Sequence, residues 1–257
     1  SFCPTNGDVW WVRLDSEGFV TGTNIVTVAP PYVRSGTCLA ATPDGGTLMG
    51  TGGAWLYESG NPFEMTSGYF GVTKTGPDGS AEWTTLLGRS HDQACTTWVA
   101  PGPDCGAYAA GPLAADIGLG RLDASGGTVW PNTWGMDRRA EWGYGATLTR
   151  DGGVIVVGAL NWPLEGGYDD LMVALVDASG RELGRQTYVQ PGLEEAGKAV
   201  LEIADGSLVI LGRRSLSGAD YRPWLFKLAA NLTPAATFAC TPPAPFSGLP
   251  VRFTVTS

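Results

Sequence analysis

The sequence predicts an all-β fold made of repeated four-stranded antiparallel units, and three observations support this prediction. The 257 residues include 38 Gly and 18 Pro and are 43% hydrophobic, which is typical of many short strands joined by turns. Asp-Gly pairs such as Asp151-Gly152 separate short apolar runs, a hairpin pattern in which Gly supplies the positive φ that the turn needs. Similar segments recur at a period of about 50 residues, the range typical of propellers and solenoids.

The repeat has two halves. One half is a strand followed by a tight turn, and its five copies align without gaps at 8–18, 69–79, 116–126, 170–180 and 222–232. The other half is a strand, an Asp-Gly type turn and a second strand, with copies at 36–50, around 104–106, at 143–158 and at 197–212. Because the two halves alternate along the chain, they predict four complete units, at 35–88, 93–135, 142–188 and 196–240.

The remaining segments predict a fifth unit shared between the two ends of the sequence. Within residues 1–28, residues 8–28 supply its third and fourth strands, and Ser247-Gly248 aligns with Ser35-Gly36, which places a first strand within 247–257. The second strand has no match unless Ser1 to Pro4 supplies it. Such sharing closes a ring and hides the sheet edges. We therefore predict a single five-bladed β-propeller domain over 1–257. An open solenoid is the structural alternative, but it needs terminal caps that the sequence does not show.

Charge and composition exclude several classes of partner. With a net charge of −9 and only three Lys beside 13 Arg, a general electrostatic hold on nucleic acid or anionic lipid is not expected. No apolar run approaches the roughly 18 residues of a membrane span. The single His and the absence of a Cys-x-x-Cys pair remove a zinc site. We predict no metal, no cofactor, no nucleic-acid partner and no direct insertion into a membrane.

The five cysteines favour an exported protein with disulfides. Ring closure would bring Cys3 and Cys240 onto neighbouring units, so we predict that this pair forms a disulfide. Cys38 and Cys95 share one aligned position on adjacent first strands and rank second, because meeting the roughly 5.5 Å Cα spacing of a disulfide is harder there. An odd count leaves at least one thiol free or paired with another chain.

The lengths of the connections predict where partners bind. Tight turns join the first strand of a unit to the second and the third to the fourth, whereas the other connections are long. Because strands alternate in direction, the long loops gather on one face. Aromatic and Arg side chains on that face are typical of recognition surfaces. The predicted partner-binding residues are Tyr32, Arg34, Trp55, Arg89, Trp134, Arg138, Arg139, Trp142, Trp162, Arg213 and Arg214.

No catalytic residue is predicted. His91 lies beside Ser90 and Asp92, but neighbours in sequence do not form a triad. The Asp residues of the tight turns are expected to accept hydrogen bonds from their own turn backbone. Glu141, Glu194, Glu195 and Glu202 lie at or near the starts of first strands, where an acid and base pair for glycoside cleavage would need a defined separation.

The sequence pattern of the repeat resembles that of a known group of proteins. Leu122-Asp123, Gly126 and Trp130 form a Leu-Asp-x-x-Gly-x-x-x-Trp pattern that resembles the β-propeller repeats of exported and surface proteins of bacteria. It is also loosely similar to pyrroloquinoline-quinone-type propeller blades, without their cofactor-binding residues. The resemblance covers roughly residues 8 to 240 and implies export, to the periplasm, cell surface or medium, and a binding, adhesive or assembly role.

The function predicted from these observations is a non-enzymatic interaction module that binds a protein partner or joins a surface assembly through its long-loop face. A carbohydrate-binding propeller is the alternative, and a glycoside hydrolase is a third possibility. Propeller lectins repeat one sugar site in every blade, whereas the loops here differ from unit to unit. That difference favours one composite site over five equal ones.

Overall fold

The computed structural model describes residues 9–26, 35–52, 68–90, 94–135, 140–161, 169–190, 192–215, 220–232, 234–241 and 252–256. Side chains are described within these ranges except at Ser35 and beyond Leu232. The ordered elements of these residues are all strands, and every pairing between them is antiparallel. The described residues contain no helix long and apolar enough to cross a membrane. The prediction of an all-β fold is therefore confirmed.

The strands divide among five sheets. The first 134 residues hold β1 (Val9–Leu14), β2 (Val20–Val26), β3 (Ser35–Ala41), β4 (Thr47–Gly52), β5 (Gly68–Thr75), β6 (Ala81–Ser90), β7 (Trp98–Pro101), β8 (Ala107–Leu113), β9 (Asp116–Leu122) and β10 (Thr128–Trp134). Strands β1 and β2 form a hairpin, whereas β3 to β6 and β7 to β10 form two four-stranded sheets in chain order.

The later residues repeat the pattern, with β11 (Ala140–Leu148), β12 (Val154–Asn161), β13 (Asp169–Val176), β14 (Glu182–Tyr188), β15 (Glu194–Glu202), β16 (Leu208–Ser215), β17 (Tyr221–Leu228), β18 (Pro234–Thr241) and β19 (Arg252–Thr256). Strands β11 to β14 form a four-stranded sheet, and β15 to β19 form a five-stranded one. The four-stranded antiparallel unit predicted from the repeat is therefore present.

Tight turns set the register of these sheets. At 123–127 the Asp123 carboxylate accepts hydrogen bonds from the backbone N–H of Ser125 at 2.8 Å and of Gly127 at 2.8 Å, and Gly126 has a φ of +83°. A left-handed φ is strained for most residues other than Gly. In the turn at 177–181 the corresponding hydrogen bonds to Asp177 lower the pKa of that carboxyl group to about 2, and the bond from the Ser179 hydroxyl has the largest effect. The turn carboxylates thus act on their own backbone, as the sequence predicts.

The chain divides into two compact units, Ser1–Gly135 and Met136–Ser257. In the first unit, Phe70 packs with Leu48, Val72, Ala107 and Leu122 in a core between two sheets. In the second unit, Ile155, Val157 and Leu171 of one sheet pack with Ile210 and Phe226 of the next. Sheet faces stacked through buried apolar side chains hold each unit together.

The pairing of the C-terminal strand differs from the predicted closing unit. Strand β19 pairs with β18, with Phe253 opposite Cys240, whereas residues 247–257 were expected to share a sheet with residues 1–28. Strand β18 is the last strand of its four-stranded unit, so one of its edges is open to a further strand. An extended segment that follows β18 closely in sequence pairs there at a low entropic cost. The blade number of five stays a prediction.

The cysteines described with side chains, at 38, 95 and 105, are free thiols. The second-ranked pair, Cys38 with Cys95, is therefore not a disulfide in this structure. Burial raises the pKa of Cys38 to about 11, which keeps its thiol protonated and unreactive. Cys3 and the side chain of Cys240 lie outside the described residues, so their disulfide stays a prediction.

Candidate functional site

Polar side chains converge at one edge of the second unit, where the long connections enter and leave its two sheets. Antiparallel order places the starts of β13, β15 and β17 at the same edge as the ends of β12 and β16. We call this region the long-loop edge. Its residues are Asn161, Asp169, Asp170, Gln190, Glu194, Glu195, Arg213, Arg214 and Tyr221.

Arg213 links the two sheets of the unit at this edge. Its Nη2 lies 3.1 Å from Oδ2 of Asp169, at the start of the neighbouring sheet's β13. Asn161 fixes the other oxygen of that carboxylate by donating a hydrogen bond of 2.9 Å to Oδ1. The Arg213 guanidinium also lies over the ring of Tyr221, 4.5 Å from its centroid. These three contacts hold the guanidinium in one orientation while 35% of the side chain stays exposed.

Arg214 is anchored by a different carboxylate. Its Nε lies 3.2 Å from Oε1 of Glu195 on β15, and 36% of the Arg214 side chain is exposed whereas that of Glu195 is 1% exposed. Nη2 of Arg214 donates a hydrogen bond to the side-chain oxygen of Gln190. Arg213 and Arg214, neighbours in sequence, are therefore each held by a buried carboxylate.

Glu195 has the most perturbed environment of these carboxylates. Neither of its oxygens accepts a hydrogen bond from the described residues. Burial raises the pKa of Glu195 to about 7, with the charge of Asp170 acting in the same direction and that of Arg214 opposing both. The acid thus exchanges its proton near neutral pH, and its ion pair with Arg214 strengthens as the pH rises through that value.

Replacement of Glu195 by Gln is expected to change how stability depends on pH. An acid whose folded pKa is raised contributes stability below its unfolded pKa of about 4.3, and this contribution is lost as the pH rises through about 7. Glu195→Gln should therefore flatten the fall in unfolding free energy between about pH 4 and 7, measured by denaturant titration. The control is Glu194→Gln, a change at the neighbouring half-buried Glu. Parallel pH profiles for wild type and Glu195→Gln would contradict the assignment.

Aromatic rings lie on both sheets of the second unit, one of which carries the two Arg residues. Trp142 and Tyr144 lie two residues apart on β11 with their ring centroids 6.4 Å apart, and Lys198 Nζ of β15 lies 3.1 Å from the Tyr144 centroid. The Tyr221 hydroxyl donates a hydrogen bond of 2.7 Å to Glu194, and 44% of Tyr221 is exposed. Cations over ring faces are held by the ring quadrupole. The second unit thus combines partly exposed guanidinium groups with exposed aromatic surface.

A second ion cluster in this unit is internal. Arg185 pairs with Glu141, which is fully buried, and with Glu182 at 2.8 Å, and its own side chain is 10% exposed. Glu141 was one of the carboxylates considered for glycoside cleavage. Its burial against Arg185 gives it a structural role in this conformation.

The predicted binding residues are distributed over both units. Arg213 and Arg214 lie at the long-loop edge, and Trp142 lies half-buried on β11. Arg89 is exposed near the end of β6, and Trp134 is half-buried at the end of β10, both in the first unit. The others lie outside the described residues: Tyr32, Arg34, Trp55, Arg138, Arg139 and Trp162.

Sequence reasoning missed Asp169 and Asn161 as partners of Arg213. A signal was present in the acidic pair Asp169-Asp170 ahead of the apolar run of β13. Among the residues with described side chains, no group of three His, Cys, Asp or Glu is arranged to hold a metal ion.

Comparison with known proteins shows the fold but not a family. No family model matches the chain, and no curated protein matches it in sequence. Among solved structures, a polysaccharide lyase of family PL25, an ulvan lyase, is 11% identical with a TM-score of 0.50 over 79% of this chain and 60% of that one. A protein of unknown function from Bacteroides caccae is 11% identical with a TM-score of 0.40, over 91% of each chain. A GH43 protein from Bacillus licheniformis is 13% identical with a TM-score of 0.37, over 86% of this chain and 51% of that one.

The sheets and the likeness to the ulvan lyase together define the fold class. The four-stranded antiparallel units and the likeness to the ulvan lyase place the chain in the β-propeller class of all-β folds. Propellers host many unrelated functions, so the fold alone assigns no activity.

Proposed function

We propose that the protein is an exported, non-enzymatic binding module that holds a protein partner bearing exposed carboxylates at the long-loop edge of its second unit. The observation that supports the proposal is the pair Arg213 and Arg214. Each is fixed by a buried carboxylate, from Asp169 and Glu195 respectively, and each keeps about a third of its side chain in solvent. Export is inferred from the resemblance of the repeat and from the cysteine content.

Anchored Arg side chains are well suited to binding acidic groups. A guanidinium has five N–H donors in a planar fork that matches a carboxylate, and such charge-assisted hydrogen bonds contribute about 1.5 to 3 kcal/mol each. Binding usually costs side-chain entropy, about 0.5 to 1.5 kcal/mol per immobilised side chain. The contacts with Asp169, Glu195 and Tyr221 restrict these side chains before the partner arrives. Less entropy is then lost on binding.

Carbohydrate binding is the second candidate, and the rings favour it. Tyr221 offers an exposed ring beside Arg213, and Trp142 and Tyr144 offer half-buried ones. Aromatic faces pack on the apolar faces of sugars, and Arg donates to hydroxyl or carboxylate oxygens. Glycoside cleavage is less well supported, because Glu195, the carboxylate with the raised pKa, is 1% exposed and does not reach a substrate in this conformation.

The proposal is tested by removing the two guanidinium groups. Binding of a glutamate-rich peptide, a uronic-acid oligosaccharide and a neutral oligosaccharide is measured by calorimetry for wild type and for Arg213→Ala/Arg214→Ala. We expect saturable binding of the peptide by wild type, weakened about 100-fold in the double variant, since each lost interaction corresponds to roughly a tenfold change or more.

The matched control is Arg181→Ala, which removes an Arg that is 75% exposed in the turn at the opposite edge of its sheet. It should bind the peptide like wild type. Equal weakening in both variants would mean that only overall charge matters. Binding of the oligosaccharides but not of the peptide would replace the protein partner by a glycan.

A further inference from the structure

A large groove runs along strand β1 in the first unit. Its volume is about 870 Å³. One wall is the whole of Val9 to Arg13, five consecutive residues of β1, and the other wall consists of residues of β3, the turn that follows it and β4, with Leu39 and Met49 among them. Consecutive residues of a strand point to opposite faces. A groove that touches all five therefore lies along the edge of β1.

The repeat shows what this edge is. The hairpin β1–β2 has the Asp15 to Gly18 turn that joins the third and fourth strands of every unit, with Gly18 at a φ of +88°. Strand β1 is thus the counterpart of β5, β9, β13 and β17. Each of these counterparts pairs with a strand on both sides. Among the described residues, β1 pairs with β2 alone.

The opposite wall matches the surroundings of a second strand. Within the first unit, β7 and β8, the first two strands of their sheet, pack against β3, β4 and β5 of the sheet before. In that arrangement β3 and β4, the first two strands of the earlier sheet, both pack on β7, the first strand of the later one. The second strand of the β1–β2 sheet would therefore pack on β3, whose residues form much of the opposite wall of the groove. The five lining residues of β1 span about 16 Å at roughly 3.3 Å per residue, the length of a short strand.

The four second strands in the described residues give the chemistry of a strand that would pair with the other edge of β1. Strands β4, β8 and β12 are buried on both faces almost throughout their length. Each of the four follows an Asp-Gly type turn with apolar or small residues, and three of them reach a Gly at the fifth strand position, at Gly111, Gly158 and Gly212. The walls of the groove agree with this, because Trp10, Val12 and Leu39 are exposed apolar side chains at 76%, 46% and 69%.

We propose that this groove binds an extended segment of a partner polypeptide, with four apolar or small residues followed by Gly, which adds as a strand to the open edge of β1. Addition of a strand to a sheet edge is an established mode of peptide recognition, in which main-chain hydrogen bonds give affinity and alternate side chains give specificity. The chain's own C-terminal strand does not fit this position, because β19 is paired with β18 and its sequence aligns with a first strand. Ser1 to Pro4, the segment considered for this strand from the sequence, lies outside the described residues.

The test uses a labelled peptide with the sequence of residues 203–214, Ile-Ala-Asp-Gly-Ser-Leu-Val-Ile-Leu-Gly-Arg-Arg, which copies β16 with its turn. The control peptide has Pro in place of the residues that correspond to Leu208 and Ile210, and so lacks two backbone donors. Fluorescence anisotropy should show saturable binding of the first peptide and at least tenfold weaker binding of the second. Hydrogen exchange in Val9–Leu14 should slow on binding.

Two protein variants test whether the peptide binds in this groove. Leu39→Arg places a charge in the groove and should weaken binding at least tenfold. Leu183→Arg changes a similarly exposed Leu, at 58%, in the other unit and should leave binding unchanged. Equal binding by the two variants, or of the two peptides, would overturn the proposal. So would slow exchange in Val9–Leu14 without peptide, because the edge would then be covered by the chain itself. The double variant Arg213→Ala/Arg214→Ala should bind this peptide normally, which separates this site from the proposed function.

Discussion

Replacement of Arg185 by Met is expected to lower the free energy of unfolding by about 3 to 5 kcal/mol, the usual cost of breaking a buried ion pair from one side. The change removes the cation beside Glu141, whose side chain is fully buried, and leaves Met in a site that is only 10% exposed. Denaturant unfolding measured by Trp fluorescence gives the value. The control Arg181→Ala removes an exposed pair with Asp177 and should cost less than about 1 kcal/mol.

The double variant Arg185→Met/Glu141→Met distinguishes a buried pair from a general packing effect. If the cost of Arg185→Met arises from a charge left in an apolar interior, removal of both charges should recover most of the lost stability. A double variant less stable than Arg185→Met would contradict this explanation and would assign Glu141 a separate essential contact.

Replacement of Phe70 by Ala is expected to cost about 3 to 5 kcal/mol, the range for truncation of a buried aromatic side chain. Phe70 of β5 is 1% exposed, and its ring lies against Gly118 of β9, where an added Cβ would approach it to 3.2 Å. It therefore fills the space between two stacked sheets of the first unit. The same measurement on Phe19→Ala, at a residue 67% exposed, should show a change below about 0.5 kcal/mol. Similar costs for both would mean that the two sheets are not stacked through Phe70.

The local parts of the fold could be predicted because their causes are local. A turn such as 149–153 needs an Asp carboxylate to bond the turn backbone and a Gly at positive φ, and Gly152 has a φ of +86°. Both requirements are met by neighbouring residues in the sequence, and they recur with the repeat. Strand order then follows from short connections. The pairing of β19 could not be predicted in this way, because two sheet edges were open to it and the repeat alignment favoured the other.

The site could be predicted only in outline. Arg213 and Arg214 were assigned to the binding face from the lengths of the connections. The anchor of Arg213 depends on the packing of one sheet on the next, which brings Asp169 within 3.1 Å of it across 44 positions of sequence. The anchor of Arg214 depends on strand register, since Glu195 lies opposite Arg214 within one sheet. The raised pKa of Glu195 depends on its burial. The alternation of apolar and polar residues at the start of a strand does not show how completely a carboxyl group is buried.

The most direct test of the account is a hydrogen-exchange footprint of the complex with the glutamate-rich peptide. A partner bound at the long-loop edge should slow exchange in 194–196, 213–215 and 221–222. The tight turns at 177–181 and 203–207, at the opposite edge of the same sheets, should be unaffected. Slowed exchange at those turns, or an unchanged long-loop edge with the peptide bound, would contradict the claim that Arg213 and Arg214 form the binding site.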